Sequence, residues 1–113
     1  TRRMRSSKPG DVVIIPFPFT DPHAAKRRPA LVLSTLHFNR SSGHLVLAMI
    51  TTAPRAAWPG DFVIHDLRVA GLPAPSMVRW KLFSLDALFV IRRAGALSHR
   101  DRVRCRVGQP LAL

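Results

Sequence analysis

The sequence predicts a small, mainly β protein that closes into a barrel. Short apolar runs rich in β-branched residues are separated by turn signals at roughly 10- to 15-residue intervals, with 10 Pro and 6 Gly in the chain. This spacing favours a small closed barrel over alternating βαβ units. No internal repeat or domain boundary is found. We therefore expect one domain at residues 9–113, preceded by a mobile basic arm at residues 1–8.

The individual strands and loops are predicted from apolar runs and from the turn-forming residues that separate them. Pro16 and Pro18 lack a backbone N–H, so pairing of the first strand should fail or reach a sheet edge there. The stretch from Thr20 to about Arg27 is interpreted as a loop, and so is His37 to Gly43, because turn-forming residues cluster in it. Strands are predicted at 12–15, 30–34, 44–50, 62–64 and 76–80, with 82–85 and 88–91 as further candidates.

The end of the chain satisfies two conflicting rules. The run Ser98-His99-Arg100-Asp101 resembles a capping box, which favours a helix from about residue 99 to 107. Residues 102–107 alternate between polar and apolar side chains with period two, which favours a strand. On pattern alone, the strand is the better interpretation.

The net charge indicates a polyanionic partner. Eighteen Lys and Arg residues against six acidic ones give a formal charge of +12. Nucleic acid is the leading candidate, because each neutralised phosphate releases counterions; an acidic protein is the alternative. An arginine-rich surface without a specific partner would explain the overall bias, but not the local Lys26-Arg27-Arg28-Pro29 cluster.

A membrane partner is disfavoured on two grounds. No apolar run reaches the roughly 18 residues of a membrane span. No amphipathic helix with a broad apolar face beside a basic one is recognisable. Since no secretory signal pattern is found either, we expect a cytoplasmic protein.

The cysteine, histidine and aspartate residues of the sequence give little support for a disulfide bond or a metal site. Cys105 is the only cysteine, which excludes an intrachain disulfide and a cysteine-based zinc site, and we expect it to be a buried, inert thiol. The five histidines show no ligand spacing, and six scattered aspartates are too few for a two-carboxylate metal nuclease. We predict no metal and no cofactor.

Three segments at the start of the chain together resemble the opening of MazF/PemK-type toxins, the toxic halves of bacterial type II toxin–antitoxin pairs. They are Gly10 to Val13, Pro16 to Asp21 and Lys26 to Ser34. Three later segments resemble the family in the same order: Ile50-Thr51, Ser76-Met77-Val78-Arg79-Trp80 and Gly95-Ala96-Leu97-Ser98. The last of these precedes the family's final helix, so we predict a C-terminal helix here against the local pattern.

The resemblance implies an SH3-like barrel of the MazF/CcdB type, usually a homodimer. It implies a sequence-selective, metal-independent endoribonuclease that attacks single-stranded mRNA with the ribose 2′-hydroxyl and leaves 2′,3′-cyclic phosphate and 5′-hydroxyl ends. The family arginine before proline falls on Arg28 and the family threonine on Thr51, which we predict to be catalytic. An acidic cognate antitoxin is expected to cover the basic groove.

The residue types suit this chemistry. A guanidinium can bind two non-bridging phosphate oxygens, and a positioned hydroxyl adds one more donor. Because the pKa of arginine exceeds about 12, Arg28 is interpreted mainly as a phosphate clamp, and the general base is not identified. Thr52 is the alternative to Thr51 as the functional hydroxyl.

Further RNA contacts are predicted around this pair. Lys26 and Arg27 are expected to hold flanking phosphates, which positions RNA without reading its sequence. Phe17, Phe19 and Trp58 are candidate base-stacking platforms, although aromatics are more often core residues. The remaining predicted RNA-binding residues are Thr20, Thr52, Ser76 and Lys81.

Two other functions stay open at this point. One is a CcdB-like toxin that inhibits gyrase by binding, and the other is a non-catalytic basic barrel that binds RNA or protein. The Lys26-Arg27-Arg28-Pro29 block favours the nuclease, since that activity needs the arginine. The sequence does not identify the RNA sequence that is cleaved or the antitoxin.

Overall fold

The computed structural model describes residues 6–18, 23, 26–52 and 58–106. Six strands form one antiparallel sheet: β1 Asp11–Phe17, β2 Lys26–Val32, β3 His44–Thr52, β4 Phe62–Val63, β5 Ser76–Asp86 and β6 Arg92–Ala96. Their order in the curled sheet is β4-β5-β3-β2-β1-β6. Three short helices and one 3₁₀ turn connect them: α1 Leu36–Ser42, α2 Leu67–Ala70, α3 His99–Cys105 and the turn Ala87–Phe89. The predicted mainly β class with a C-terminal helix is confirmed.

Apolar side chains are buried on both faces of the sheet, because successive strand residues point to opposite sides. We call the two clusters the first core and the second core. The first core includes Val12, Leu31, Ala48, Ile50, Val78, Leu97 and Cys105. The second core includes Val13, Ile15, Ala30, Val32, Leu45, Leu47 and Leu85. Membership of a core therefore identifies the face on which each strand residue lies.

Strand β1 becomes a sheet edge near its end, as its prolines predict. It pairs with β2 along its length, down to Phe17 opposite Lys26. On the other side, β6 pairs with β1 only as far as Ile14 opposite Arg92. Pro16 thus lies beyond the end of β6, where no ladder bond from its missing N–H is needed.

The two terminal strands of the sheet order, β4 and β6, do not pair with each other in the described part of the chain. Helix α2 packs across this gap against β6. A Cβ on Gly95 of β6 would collide with the backbone of Val69 and Ala70, and a Cβ on Gly71 would collide with the backbone of Ala94. The absence of side chains at these two glycines lets helix and strand backbones touch.

Three sequence predictions of local structure are wrong. Residues 37–42 of the predicted loop belong to helix α1, which is begun by Thr35, whose side chain accepts from Phe38 N at 3.1 Å, and ended by Gly43 at φ 73°. Strand β2 begins at Lys26, four residues earlier than predicted, so the cation cluster lies on a strand and not on a loop. Residues 88–91 form no strand: Leu88 and Phe89 belong to the 3₁₀ turn, and the unpredicted β6 follows at Arg92.

The C-terminal helix is confirmed over residues 99–105. Ser98 caps it by accepting from Asp101 N at 3.2 Å. The buried Asp101 carboxylate accepts from the backbone N–H groups of His65, at 3.1 Å, and Asp66, at 2.9 Å.

Burial in the first core, with Asp101 nearby, raises the pKa of Cys105 to about 12. The thiol is therefore inert at neutral pH, as the sequence predicts.

The predicted N-terminal arm is described only from Ser6 to Lys8. Ser7 is buried, and its carbonyl oxygen accepts from Asn39 Nδ2 at 2.7 Å. Residues 1–5 of the arm, and residue 107 of the predicted helix, lie outside the described residues. Among the helices that are described, none is long and apolar enough to cross a membrane.

We predict that Gly95→Ala destabilises the fold, because its methyl group would force α2 away from β6. Overpacking usually costs about 1–3 kcal/mol, and a backbone collision should lie at the upper end of that range. Thermal or urea unfolding measures the change. Ala96→Gly in the same strand is the control, with an expected cost of at most about 1 kcal/mol. An unchanged unfolding midpoint for Gly95→Ala would contradict the close approach of α2.

Candidate functional site

Four strand ends meet at one end of the sheet. Strands β1 and β3 finish there, and β2 and β5 begin there, because all four are antiparallel to their neighbours. Most of the predicted site residues lie at this end, which we call the site end: Phe17, Lys26, Arg27, Arg28, Thr51, Thr52 and Ser76. The topology therefore brings together residues from widely separated parts of the chain.

Arg28 is held against an aromatic ring at the site end. It pairs with Ile15 across the β1–β2 ladder. Its Cζ atom lies 4.7 Å from the centre of the Phe17 ring, a cation–π contact. The residue is half-buried, and its Nε is buried with no hydrogen-bond partner in the described structure. A buried donor of this kind favours binding of an acceptor such as a phosphate oxygen.

Thr51 lies on the same face as Arg28. The β2–β3 ladder ends with Ala30 opposite Met49, and continuing that register by two residues brings Arg28 opposite Thr51. Ala30 and Leu47 lie on the face of the second core. Arg28 is two residues from Ala30 and Thr51 is four residues from Leu47, so alternation along each strand puts both on that same face. The two residues predicted to be catalytic are thus on one face and at one level of the sheet.

Thr52 and Ser76 lie on the opposite face. They pair with each other across β3 and β5, and alternation places them on the side of Ile50 and Val78 in the first core. Ser76 is buried, and its hydroxyl donates to Ala74 O at 2.8 Å. The structure does not bring either hydroxyl to the face of Arg28.

Lys26 and Arg27, which are also predicted to contact RNA, lie on opposite faces of the sheet. Lys26 is exposed on the face of Arg28 and pairs with Phe17, whereas the exposed Arg27 alternates to the other face, opposite Pro16. Lys81 is exposed in an irregularity of β5, where the β3 ladder passes from Arg79 directly to Leu82. Thr20 and Phe19 lie outside the described residues.

A cluster at the same end of the sheet was not predicted as a unit. Arg79 of β5 binds Asp61 through two bonds, Nη2 to Oδ2 at 2.9 Å and Nε to Oδ1 at 3.3 Å. Its Cζ lies 4.8 Å from the centre of the Trp58 ring. Asp61 Oδ2 also accepts from Trp58 N at 2.9 Å. The turn Trp58-Pro59-Gly60-Asp61 is recognisable in the sequence, but its pairing with a residue 18 positions later is not.

The hydrogen bonds to Asp61 set its ionisation. Donation from the Arg79 side chain, and then from the Trp58 backbone, holds the pKa of Asp61 below its ordinary value, against a smaller opposing effect of desolvation. Asp61 is therefore an ion-pair partner and a poor proton acceptor at neutral pH. The pKa of Asp66 is lowered too, mainly by the hydroxyl of Ser98.

Internal contacts occupy the described acidic side chains, so little negative charge offsets the surface cations. Asp11 accepts from Lys8 N, Asp66 binds Ser98 and Arg100, and Asp86 accepts from Leu88 N. Asp61 and Asp101 make the contacts given above. Within the described ranges, no group of three or more His, Cys, Asp or Glu residues is placed to hold a metal ion.

Comparison with known proteins gives a family match over most of the chain. A family model described as PemK-like, MazF-like toxin of type II toxin–antitoxin system matches residues 8–106. No curated protein matches the chain.

Solved structures of the same fold are more distant in sequence. A mycobacterial endoribonuclease in complex with its cognate antitoxin is 16% identical, with a TM-score of 0.69 over 93% of this chain and 98% of that chain. MazE–MazF of Deinococcus radiodurans is 20% identical, with a TM-score of 0.67 over 89% and 88%. The Mycobacterium tuberculosis toxin MazF-mt6 is 20% identical, with a TM-score of 0.66 over 85% and 88%. At these identities the likeness establishes the fold.

We predict that Asp61→Asn destabilises the protein at neutral pH and that the difference disappears in acid. The lowered pKa means that folding favours the ionised carboxylate. That stabilisation is complete above the unfolded pKa of about 3.9 and is lost as pH falls through the folded value. Chemical denaturation of both proteins at pH 7 and at about pH 2.5 measures the change in unfolding free energy.

Asp86→Asn is the matched control. Asparagine also accepts a capping hydrogen bond, so this variant should stay close to wild type. A stability difference for Asp61→Asn that is equal at both pH values would contradict a stabilising, ionised Asp61–Arg79 pair.

Proposed function

The chain belongs to the PemK-like, MazF-like toxin family of type II toxin–antitoxin systems, and from that premise we propose that it is an endoribonuclease that cleaves single-stranded RNA without a metal ion. One observation carries the proposal. Arg28 is half-buried against Phe17, its Nε has no hydrogen-bond partner among the described residues, and the β2–β3 register continued by two residues brings it level with Thr51. Together, these two side chains can donate hydrogen bonds to one phosphate group at the site end of the sheet.

The reaction is a transesterification within the RNA. The ribose 2′-oxygen attacks the adjacent phosphorus, the 2′-hydroxyl loses its proton, and the bond from phosphorus to the 5′-oxygen of the next nucleotide breaks. That oxygen takes up a proton. The products are a 2′,3′-cyclic phosphate and a 5′-hydroxyl, and no water or metal enters the bond-making step.

The residues act on the charge that develops on the non-bridging oxygens. Arg28 offers Nε together with its terminal nitrogens, so it can donate to two oxygens in the fork geometry that suits phosphate. Thr51 adds a hydroxyl donor from the neighbouring strand. Each donor aimed at developing transition-state charge typically contributes a few kcal/mol. Lys26, exposed on the same face, attracts an adjacent phosphate, whereas Arg27 contributes only to the general positive field.

The surface charge supports a second part of the proposal, an acidic partner protein. The formal charge is +12, and among the described residues no carboxylate forms an ion pair with Lys26, Arg27 or Arg28 at the site end. An acidic antitoxin segment would bind there by charge complementarity and exclude RNA. We place the protein in the cytoplasm, where mRNA is available, and expect a homodimer. A toxin that inhibits gyrase by binding, or a basic barrel without catalytic activity, would not need an arginine that is partly removed from water, as Arg28 is.

We predict cleavage of a long single-stranded RNA in the presence of EDTA, with 5′-hydroxyl ends that polynucleotide kinase labels directly. Arg28→Ala should reduce the rate at least about a hundredfold while the unfolding midpoint is retained, as expected for loss of one transition-state donor. Arg27→Ala is the matched control, because it removes the same group one residue away on the opposite face. A folded Arg28→Ala variant with wild-type activity, or cleavage abolished by EDTA, would refute this mechanism.

Thr51 and Thr52 form a second matched pair. We predict that Thr51→Val, which keeps the side-chain shape and removes the hydroxyl, slows cleavage by about tenfold or more. Thr52→Val should cleave at nearly the wild-type rate, since alternation places it on the other face. Single-turnover rates on saturating RNA separate the chemical step from binding. The reverse ranking of the two variants would assign the functional hydroxyl to Thr52.

A further inference from the structure

We propose that Trp58 is a nucleobase-stacking site that holds the RNA beside Arg28. This inference rests on the proposed function and adds to it a binding site for the flat face of one unpaired base. It is carried by the cluster of Trp58, Asp61 and Arg79, which the cleavage mechanism does not use.

The cluster contacts the indole ring through Arg79 and holds the backbone of Trp58 in a tight turn. The guanidinium of Arg79 covers one face of the ring, with Cζ 4.8 Å from its centre. The backbone N–H of Trp58 donates to Asp61 Oδ2 at 2.9 Å, and Asp61 N donates to Trp58 O at 3.1 Å. Gly60 within this turn lies against the Trp80 ring, since a Cβ there would be 3.2 Å from Trp80 Cδ1. A ring held this firmly loses little conformational freedom when a ligand binds.

Arg79 is committed to this support and is not available as a phosphate clamp. Its guanidinium is already bound through two nitrogens to Asp61. The two side chains are only 14% and 7% exposed, so the pair is largely shielded from solvent. The pair presents no net charge outward, and what it supports is the aromatic ring above it.

The ring itself is open to solvent, unlike the core residues beneath it. Trp58, one of two tryptophans in the chain, is 46% exposed. A large aromatic ring that lies against a cation and stays nearly half exposed can serve as a platform for a second flat group.

The platform lies close to the proposed catalytic pair. Arg79 pairs with Met49, and two residues earlier on β5 Met77 pairs with Thr51. Two residues of strand span roughly 7 Å. Alternation puts Arg79, Met49, Thr51 and Arg28 on one face of the sheet. An RNA strand whose phosphate lies on Arg28 therefore brings a neighbouring base within reach of Trp58.

The chemistry of the platform favours a nucleobase over a peptide. The platform is a single exposed ring, and the cation Lys26 lies on the same face of the sheet. Single-stranded RNA supplies both a flat base for the ring and phosphates for the cation. Because every base has a π face, stacking of this kind holds the strand with little preference for sequence.

The test uses Trp58→Leu and Trp58→Phe, with Leu88→Ala as the control. Leu88 is a 62% exposed apolar residue beyond the far end of β5 from the site. Binding is measured by fluorescence anisotropy of labelled RNA in which the scissile ribose is 2′-deoxy, so that no cleavage occurs. The same measurement is made on RNAs with one abasic position each, placed in turn at every nucleotide around the cut site.

We expect Trp58→Leu to weaken RNA binding about tenfold to a hundredfold, Trp58→Phe much less, and Leu88→Ala not at all. One abasic position should weaken binding by the wild type, and at that position Trp58→Leu should add no further loss. In a Trp80→Phe background, RNA binding should quench the fluorescence of Trp58.

Three results would overturn the inference. Wild-type affinity of Trp58→Leu for intact RNA excludes stacking, and so does an equal loss on intact RNA and on every abasic RNA. A Trp58→Leu variant that binds RNA normally but no longer binds the acidic partner would assign the ring to a protein interface. In each case, normal RNA cleavage by the wild type leaves the proposed function intact. A wild-type protein that neither binds nor cleaves RNA would instead refute the proposed function.

Discussion

The proposed mechanism depends on one interaction above all, the contact of Arg28 with Phe17. An arginine in water would lie in many conformations and would be fully hydrated. Here the ring lies 4.7 Å from Cζ, and the buried Nε donor has no hydrogen-bond partner among the residues that the structure describes. Part of the cost of removing water from the guanidinium has therefore been met during folding. An incoming phosphate oxygen gains a charge-assisted bond in a partly dry environment, where such bonds are strongest.

This contact exists because of the register of three strands. The β1–β2 ladder places Phe17 and Arg28 on one face, and the register of the β2–β3 ladder, continued two residues past its last pair, brings Thr51 to the same level. Apolar residues on both faces hold that register, because a slip by one residue would move the buried side chains of both cores into the wrong layers. Gly71 and Gly95 let the backbone of α2 and of its C-terminal end pack closely against β6.

The sequence predicts the fold class well, and it points to residues that the topology then gathers at one end of the sheet, for reasons that are local. The β-branched run of β1, its prolines and the Lys26-Arg27-Arg28-Pro29 block are each informative within a few residues. Features that depend on distant partners escape prediction. Helix α1 has the composition of a loop, yet Asn39 is buried where its amide binds Ser7 O. The period-two pattern of residues 102–107 suggests a strand, but Ser98 and the buried Cys105 impose a helix. The same limit applied to the site, since nothing near Trp58 in the sequence indicates its pairing with Arg79.

The account also distinguishes residues that the sequence treats alike. Arg27 and Arg28 are adjacent cations, and Thr51 and Thr52 are adjacent hydroxyls, but strand alternation sends one of each pair to each face. Arg79 lies in a segment shared with the family, yet its guanidinium is occupied by Asp61. The roles that we propose for these residues therefore follow from the face that each side chain occupies and from the groups that already bind it.

The most direct measurement is a crystal structure of the protein with a single-stranded RNA whose scissile ribose is 2′-deoxy. The account predicts that the scissile phosphate lies within hydrogen-bond distance of the Arg28 guanidinium, with Nε among the donors, and that the Thr51 hydroxyl faces the same phosphate. RNA bound with its scissile phosphate on the opposite face of the sheet, or with Arg28 and Thr51 contacting different nucleotides, would contradict it.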